Sequence, residues 1–375
     1  MEEIMLISGI VLLLTACLYA GLIGLFTFGW YRKKGPLPQA SPATPIKVSV
    51  IVAARNEEKY IAGLLTDLAE QDYPASLIEI LIIDDHSEDN TIEIVRNIVD
   101  GWKFDGFKLI KNEDGVGKKS AIAVGISKAT GDVILLSDAD CRVGQGWVSA
   151  MVSHFKDAEK MMIFGPVAYF EEGGLLNRFQ SLEFSGLMIS GAGAAMAGHP
   201  FMCNGANMAY RKEAFLQVGA FEGNEKFISG DDVFLMHKIK KRYGSRAIGF
   251  AINRNAIVRT FPAPGLKAFF RQRIRWASKT RGYNDKVATF TAVIVLLFNL
   301  LIITALIGGC WHPGLFLMYG AGILIKSLID FPLMWGVTGF NDERRLMTWY
   351  VSFQLVYPVY IVLAGIASLF GKKKW

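Results

Sequence analysis

Two aspartates separated by one small residue, Asp138 and Asp140, close a short apolar run that begins at Val133. Carboxylates so spaced at the end of a strand can share a divalent cation with oxygen ligands. An isolated pair of this kind reads as a polar turn, where Asp is favoured. Here it has company. Asp84-Asp85 ends a second apolar run, Ile78–Ile83, and Asp231-Asp232 follows Ser229-Gly230 at the start of a helical pattern. Gly117-Lys118 forms a glycine-lysine loop that can approach phosphate closely, although its spacing is not that of a P-loop. Carboxylates at helix starts also serve as plain caps, which accounts for one acid in each turn but not for the clustering.

The elements that must position these groups alternate. Val48–Ala54 reads as a strand, followed by Arg55-Asn56-Glu57-Glu58 and an amphipathic helix to about Glu70. The strand Ile78–Ile83, a helix Thr91–Val99, a strand Phe107–Ile110, a helix Ser120–Ala129 and the strand ending at Asp138 follow. Strand and helix in this rhythm predict an α/β fold with a parallel, doubly wound sheet. Such sheets bind ligands beyond the carboxyl ends of their strands, so the polar clusters should share one cleft. Cys203-Asn204-Gly205-Ala206-Asn207 is a polar turn leading into the next element.

With 375 residues, 52% of them hydrophobic, a net charge of +6 and a mean hydropathy of +0.31, the chain is too apolar for an ordinary soluble domain. Ile4–Trp30 is long enough to cross a bilayer, which takes roughly 20 apolar residues. It starts acidic and ends in Arg32, Lys33 and Lys34, which places the N-terminus outside and the next domain in the cytosol. Gly35–Pro45, with four prolines, reads as an extended linker. Three more candidate spans are Val287–Gly309, Pro313–Trp335 and Leu346–Phe370. Three crossings put Lys372, Lys373 and Lys374 outside, against the charge rule that orients the first span. Leu175–Ala197, interrupted by glycines, reads as a surface-lying or domain-packing helix rather than a fifth span. Basic and aromatic residues interleave from Leu266 to Arg281, as in a helix lying in a membrane interface. The basic clusters flank apolar spans and suit an anionic membrane surface better than nucleic acid. The four cysteines show no metal-ligand spacing.

Taken in order, these stretches resemble a membrane-bound inverting glycosyltransferase of family 2, built on the nucleotide-sugar-binding GT-A fold. The resemblance implies a domain over residues 46–261 in the cytosol, a span at 1–31, an interfacial helix at 262–285 and a membrane region of about three helices at 286–371. It assigns donor binding to Ala53, Arg55, Glu57, Asp84, Asp85, Lys118 and Asp138, with Asp85 reading uracil and Glu57 holding the ribose. It makes Asp138-Ala139-Asp140 the metal motif for Mg²⁺ or Mn²⁺, with Asp140 the direct ligand. Asp232 becomes the general base, beside Asp231, which stands where many members have Glu. Gly117-Lys118 with Ala121 is similar to the family's stretch beside the diphosphate, although Ala123 departs from its usual Asn. Asn204 and Gly205, with Gln272, Arg275 and Trp276 of a Gln-x-x-Arg-Trp motif, fall on the acceptor side.

The implied activity is transfer from a UDP-sugar to a lipid or lipid-linked acceptor at the cytosolic face of a bacterial-type membrane, alongside other envelope-biosynthesis proteins and without nucleic acid. A processive polysaccharide synthase is the alternative within the family. A transporter or scaffold is the alternative outside it, and its support is Lys326 and Asp330, four apart inside a span. Such a pair more often neutralises itself in packing.

Overall fold

The computed structural model describes residues 2–32, 45–102, 104, 106–223, 230–283 and 285–370. The linker from Gly35 to Thr44, Lys33, Lys34, Ser229 and Lys372–Lys374 lie outside them. The chain divides into two units. One takes Lys33–Phe170 and Met202–Phe261, the other Met1–Arg32, Glu171–Phe201 and Pro262–Trp375. The sequence reading carries one continuous domain from 46 to 261, whereas residues 171–201 leave it. The reason is that this stretch is a long, largely buried helix that packs on the chain's first helix.

In the first unit, β1 (Val48–Ala54), β2 (Ile78–Asp84), β3 (Phe107–Lys111) and β4 (Val133–Asp138) are parallel neighbours in the order β3-β2-β1-β4. Their residues are almost wholly buried in β1, β2 and β4, as expected for strands covered on both faces. The helices between them are α2 (Ile61–Ala69), α3 (Thr91–Asp100) and α4 (Lys118–Lys128), α1 (Glu2–Tyr31) belonging to the other unit. The buried Glu79 of β2 is satisfied by hydrogen bonds from Ser49 (2.6 Å) and from the Thr130 hydroxyl (2.8 Å). Beyond β4 the sheet departs from the parallel expectation. After β5 (Arg142–Val143), α5 (Trp147–Val152), β6 (Met162–Phe164) and β7 (Val167–Tyr169), the chain returns as β8 (Met208–Arg211), antiparallel to both β4 and β6. α7 (Lys212–Gln217), α8 (Asp231–Tyr243), β9 (Ile248–Phe250) and β10 (Val258–Thr260) follow. The main sheet therefore has the mixed order β3-β2-β1-β4-β8-β6-β9, and β5-β10-β7 form a small second sheet. Alternation of strand and helix stops after α4, so the parallel rule applies only to the first half.

Asn207, just before β8, is fully buried and ties three segments together. It accepts from Trp147 Nε1 (3.0 Å) and donates to the carbonyls of Pro166 (2.8 Å) and Ala256 (2.7 Å). Asn207→Ala leaves these groups buried and unpaired, so it should destabilise the protein by about 3 kcal/mol. A clear drop in thermal unfolding temperature in detergent checks this, and an unchanged one refutes it.

The second unit is helical: α1, α6 (Leu175–Met196), α9 (Leu266–Ser278), α10 (Lys286–Gly308), α11 (Gly314–Phe340) and α12 (Tyr350–Phe370). Four helices are long and apolar enough to cross a membrane: Met5–Tyr31, Lys286–Gly308, Gly314–Phe340 and Arg344–Ser368. α6 packs on α1 and α11, which fits the packing-helix expectation. A Cβ on Gly193 would stand 2.3 Å from the Phe26 carbonyl oxygen, and one on Gly29 would clash with the Gly193 backbone. Small residues let the two backbones touch, as in helix pairs that associate within lipid. Lys326 of α11 binds Asp330 (2.5 Å) and Gln354 (2.9 Å), and the Tyr19 hydroxyl donates to Asp330 (2.8 Å). The pair thus neutralises itself in the packing.

Candidate active site

Register brings the first groups together. Ala53 pairs with Asp138 across β1 and β4, and Ala54 pairs with Asp84 across β1 and β2. Three strand ends therefore finish at one level, and the half-buried Ala53 marks the floor between them. The loops that leave β1 and β2 lace to each other. Asn56, at φ +58°, donates its amide to Ser87 (3.1 Å) and accepts from the Glu88 amide (2.8 Å). The amides of Glu57 and Glu58 donate to Thr91 (2.8 Å) and Asp89 (3.2 Å). Asp84 accepts from the Ser87 amide (3.2 Å).

Asp85 is 3% exposed. It accepts from Asn112 Nδ2 (2.7 Å) and the Gly117 amide (2.8 Å), with Arg55, half exposed, 4.0 Å away. Asp85 therefore anchors the Gly117 turn, whose φ of +103° favours glycine at the start of α4. Asn112, which also accepts from Ser120 (3.0 Å), escaped the sequence reading because it follows the edge strand β3 with no motif of its own.

The two lysines at the N-terminus of α4 reach two acidic clusters. Lys118 pairs with Asp138, and Lys119 Nζ lies 2.9 Å from Asp231 Oδ1. Lys119 is a second omission, visible in the sequence only as the neighbour of Lys118. Burial pushes the Asp231 carboxyl up while Lys119 pulls it down, the first prevailing. Asp232 accepts from the Val233 amide (2.9 Å) and from the Gly205 amide (2.9 Å). Candidate base and candidate acceptor turn are thus in direct contact. The antiparallel run of β8 makes this possible: its beginning lies at the edge where parallel strands end, so Asn204-Gly205 arrives beside the aspartates. Asn204 caps that turn by accepting from the Ala206 amide (2.9 Å).

Carboxylates crowd one corner. Burial and then Asp138 push the Asp140 carboxyl up, and burial, Asp140, Asp138 and Asp89 push Glu57 up to about 7. Lys118 opposes both shifts without cancelling them. A corner with more carboxylate than ammonium fits a hard divalent cation. Among the described residues no three side chains form a ready metal cage. One or two protein carboxylates, with ligand and water oxygens completing the shell, is the usual arrangement for Mg²⁺.

Gln272, Arg275 and Trp276 lie on α9, in the helical unit. Arg275 is exposed, and Trp276 packs on Phe184 with ring centroids 6.0 Å apart. The buried member of the motif is Arg273, which donates to Gln272 Oε1 (2.5 Å) and through Nε to Glu183 (2.9 Å). Its guanidinium stacks over Trp276 (4.4 Å) and Phe269 (4.8 Å). Helical spacing signals this in the sequence: positions 269, 273 and 276 share one face, and an arginine on an apolar face needs a buried counter-charge.

Residues 49–219 match the family model for glycosyl transferase family 2. The chain is 28% identical over 250 residues to the probable glycosyltransferase YdaM of Bacillus subtilis, covering 66% of this chain and 57% of that one. It is 24% identical over 274 residues to a dolichyl N-acetyl-α-D-glucosaminyl phosphate glucuronosyltransferase-type enzyme of Methanococcus voltae (69% and 82% covered). The solved mannosyltransferase of Pyrobaculum calidifontis, in complex with GDP-Man and Mn²⁺, superposes with a TM-score of 0.59 at 19% identity over 97% of this chain and 100% of that one. That likeness establishes a GT-A fold. The chain spans less than three-fifths of the length of the first curated relatives it matches.

Proposed function

This chain carries a family 2 glycosyltransferase domain with a GT-A fold, and from that premise we propose that it is an inverting, metal-dependent enzyme transferring a sugar from UDP to a lipid or lipid-linked hydroxyl. The reading places the transfer at the cytosolic face of the membrane crossed by its long apolar helices. One observation carries it: Gly117–Asp85, Lys118–Asp138 and Lys119–Asp231 bring three acidic clusters of distant sequence to the start of one helix, α4.

In this reading Asp232 takes the proton of the acceptor hydroxyl as its oxygen bonds to the anomeric carbon. The bond from that carbon to the diphosphate breaks on the opposite face, and UDP departs with the electron pair. Asp232 has oxygen lone pairs beyond the two amides it accepts from. Lys118 and the amides opening α4 offset charge on the diphosphate. Asp138 and Asp140 would hold the divalent cation, which when bound supplies Lewis-acid stabilisation of the leaving group. Asp85 keeps acceptor capacity for the imide N–H of uracil while fixing the Gly117 turn. Glu57 serves the ribose hydroxyls, and Gln272, Arg275 and Trp276 serve the acceptor. The relative from Methanococcus voltae, whose name describes a dolichyl-linked acceptor, supports a lipid-borne hydroxyl.

Purified protein in lipid, given a panel of radiolabelled UDP-sugars, should release UDP and label a lipid-extractable product. Release from GDP-sugars alone overturns the donor assignment. Label confined to a long, water-soluble polymer favours a polysaccharide synthase.

A further inference from the structure

The helical unit holds a cavity of about 100 Å³ between α1, α6, α11 and α12, room for several water molecules. Its polar lining includes Tyr19, Glu183, Lys326, Asp330, Gln354 and Tyr357, while the hydroxyls of Ser190 and Tyr350 donate to the Gly186 and Ser327 carbonyls. None of these is needed for the transfer chemistry argued above. We propose that this cavity binds the polar end of a neutral, hydroxyl-bearing lipid, independently of the transfer chemistry.

Charge decides the ligand class. Lys326 is matched by Asp330, and Glu183 by Arg273, so the lining offers no uncompensated cation for a phosphate. Lys326 is further enclosed by Gln354 (2.9 Å) and by the face of Tyr357, 4.4 Å from the ring centroid. A phosphate entering here would meet two carboxylates whose counter-ions are already engaged. The groups that remain are hydroxyl-seeking. Carboxylate oxygens have more lone pairs than their present bonds use, and the Tyr357 hydroxyl makes no hydrogen bond among the described residues. Acceptors with one spare phenol donor match an alcohol, which both donates and accepts.

Depth points the same way. Lys326 stands 12 residues beyond Gly314, the start of α11. At 1.5 Å per residue that is roughly 18 Å along a helix crossing a hydrocarbon layer of about 30 Å. An ionised headgroup is expensive so far from water, whereas a diol meeting ready partners is tolerated. Aromatic and aliphatic side chains, among them Phe179, Leu182 and Leu333, complete the wall and suit the start of an acyl chain.

The test uses the full chain in nanodiscs and two photoactivatable probes with identical acyl chains, a diacylglycerol and a phosphatidic acid. Diacylglycerol should label peptides of α11 and α12 at least tenfold more than phosphatidic acid. Tyr357→Phe should cut that labelling about fivefold, the worth of one neutral hydrogen bond. The double change Lys326→Met with Asp330→Met removes both charges together and should abolish it. Thermal unfolding confirms that each variant folds, and if the double variant does not, Tyr357→Phe carries the test. Equal labelling by both probes, preference for phosphatidic acid or a phosphate-linked polyprenol, or no retained lipid (a cavity filled by water) overturns the proposal. Labelling as expected without UDP release for any lipid would instead leave the site standing and sink the transferase reading.

Discussion

Asp232→Asn should slow sugar transfer by about 10²–10⁴-fold while UDP affinity stays within about twofold. The expectation follows from geometry. Asp232 is tied to the Gly205 turn through one carboxylate oxygen and to its own helix start through the other, at one edge of the cleft, so asparagine keeps the shape and one of the two hydrogen bonds and removes the basic oxygen. Asp85→Ala is the contrasting variant. It deletes the acceptor of Gly117 and Asn112, so the turn before Lys118 loosens and UDP binding weakens by tenfold or more. Titration calorimetry with UDP, set beside single-turnover rates, separates the two. Near-normal single-turnover rates for Asp232→Asn would pass the role of base to another residue.

The second large effect concerns metal. Excess chelator should reduce transfer to background, Mg²⁺ or Mn²⁺ should restore it, and Asp140→Asn should cost about 10²-fold or more. The binding readout matters as much as the rate: UDP should bind the wild type more tightly with metal than without, and this difference should vanish in Asp140→Asn. Crowding explains why. Burial and Asp138 raise the proton affinity of Asp140, burial, Asp140 and Asp138 raise that of Glu57, and Lys118 opposes both as a counter-charge. A cation there relieves repulsion that the folded chain otherwise retains. Full activity after exhaustive metal removal would end the assignment.

The parallel half of the sheet is legible because β1, β2 and β4 are mostly apolar runs followed by polar residues. The carboxylates at those ends declare themselves for the same reason, since nothing apolar follows to hide them. β8 was not legible as antiparallel. Met208–Arg211 is four residues long, and so short a run fixes neither direction nor neighbours. Asn112 and Lys119 were missed because polar residues in loops look alike until the backbone brings them to a partner. Arg273 is masked by the motif around it: Gln272 and Arg275 are the motif positions, while the arginine that α9 buries is the one facing Glu183. Residues 171–201 read as part of one domain because sequence order suggests continuity, and packing is what shows that α6 sides with α1 and α11.

That excursion also bears on how the protein is made. The ribosome completes β4 and β6 before α6, but β8, which hydrogen-bonds to both, emerges only afterwards. Until then the growing sheet has open edges of the kind that aggregate. Translation at about 5–20 residues per second leaves this intermediate exposed for seconds, while α6 must find α1, which precedes it in the chain. Completion of the main sheet thereby waits until α6 has been made. Trimming the chain at either end leaves α6, a largely buried helix that packs on α1 and α11, between the segments that form the sheet.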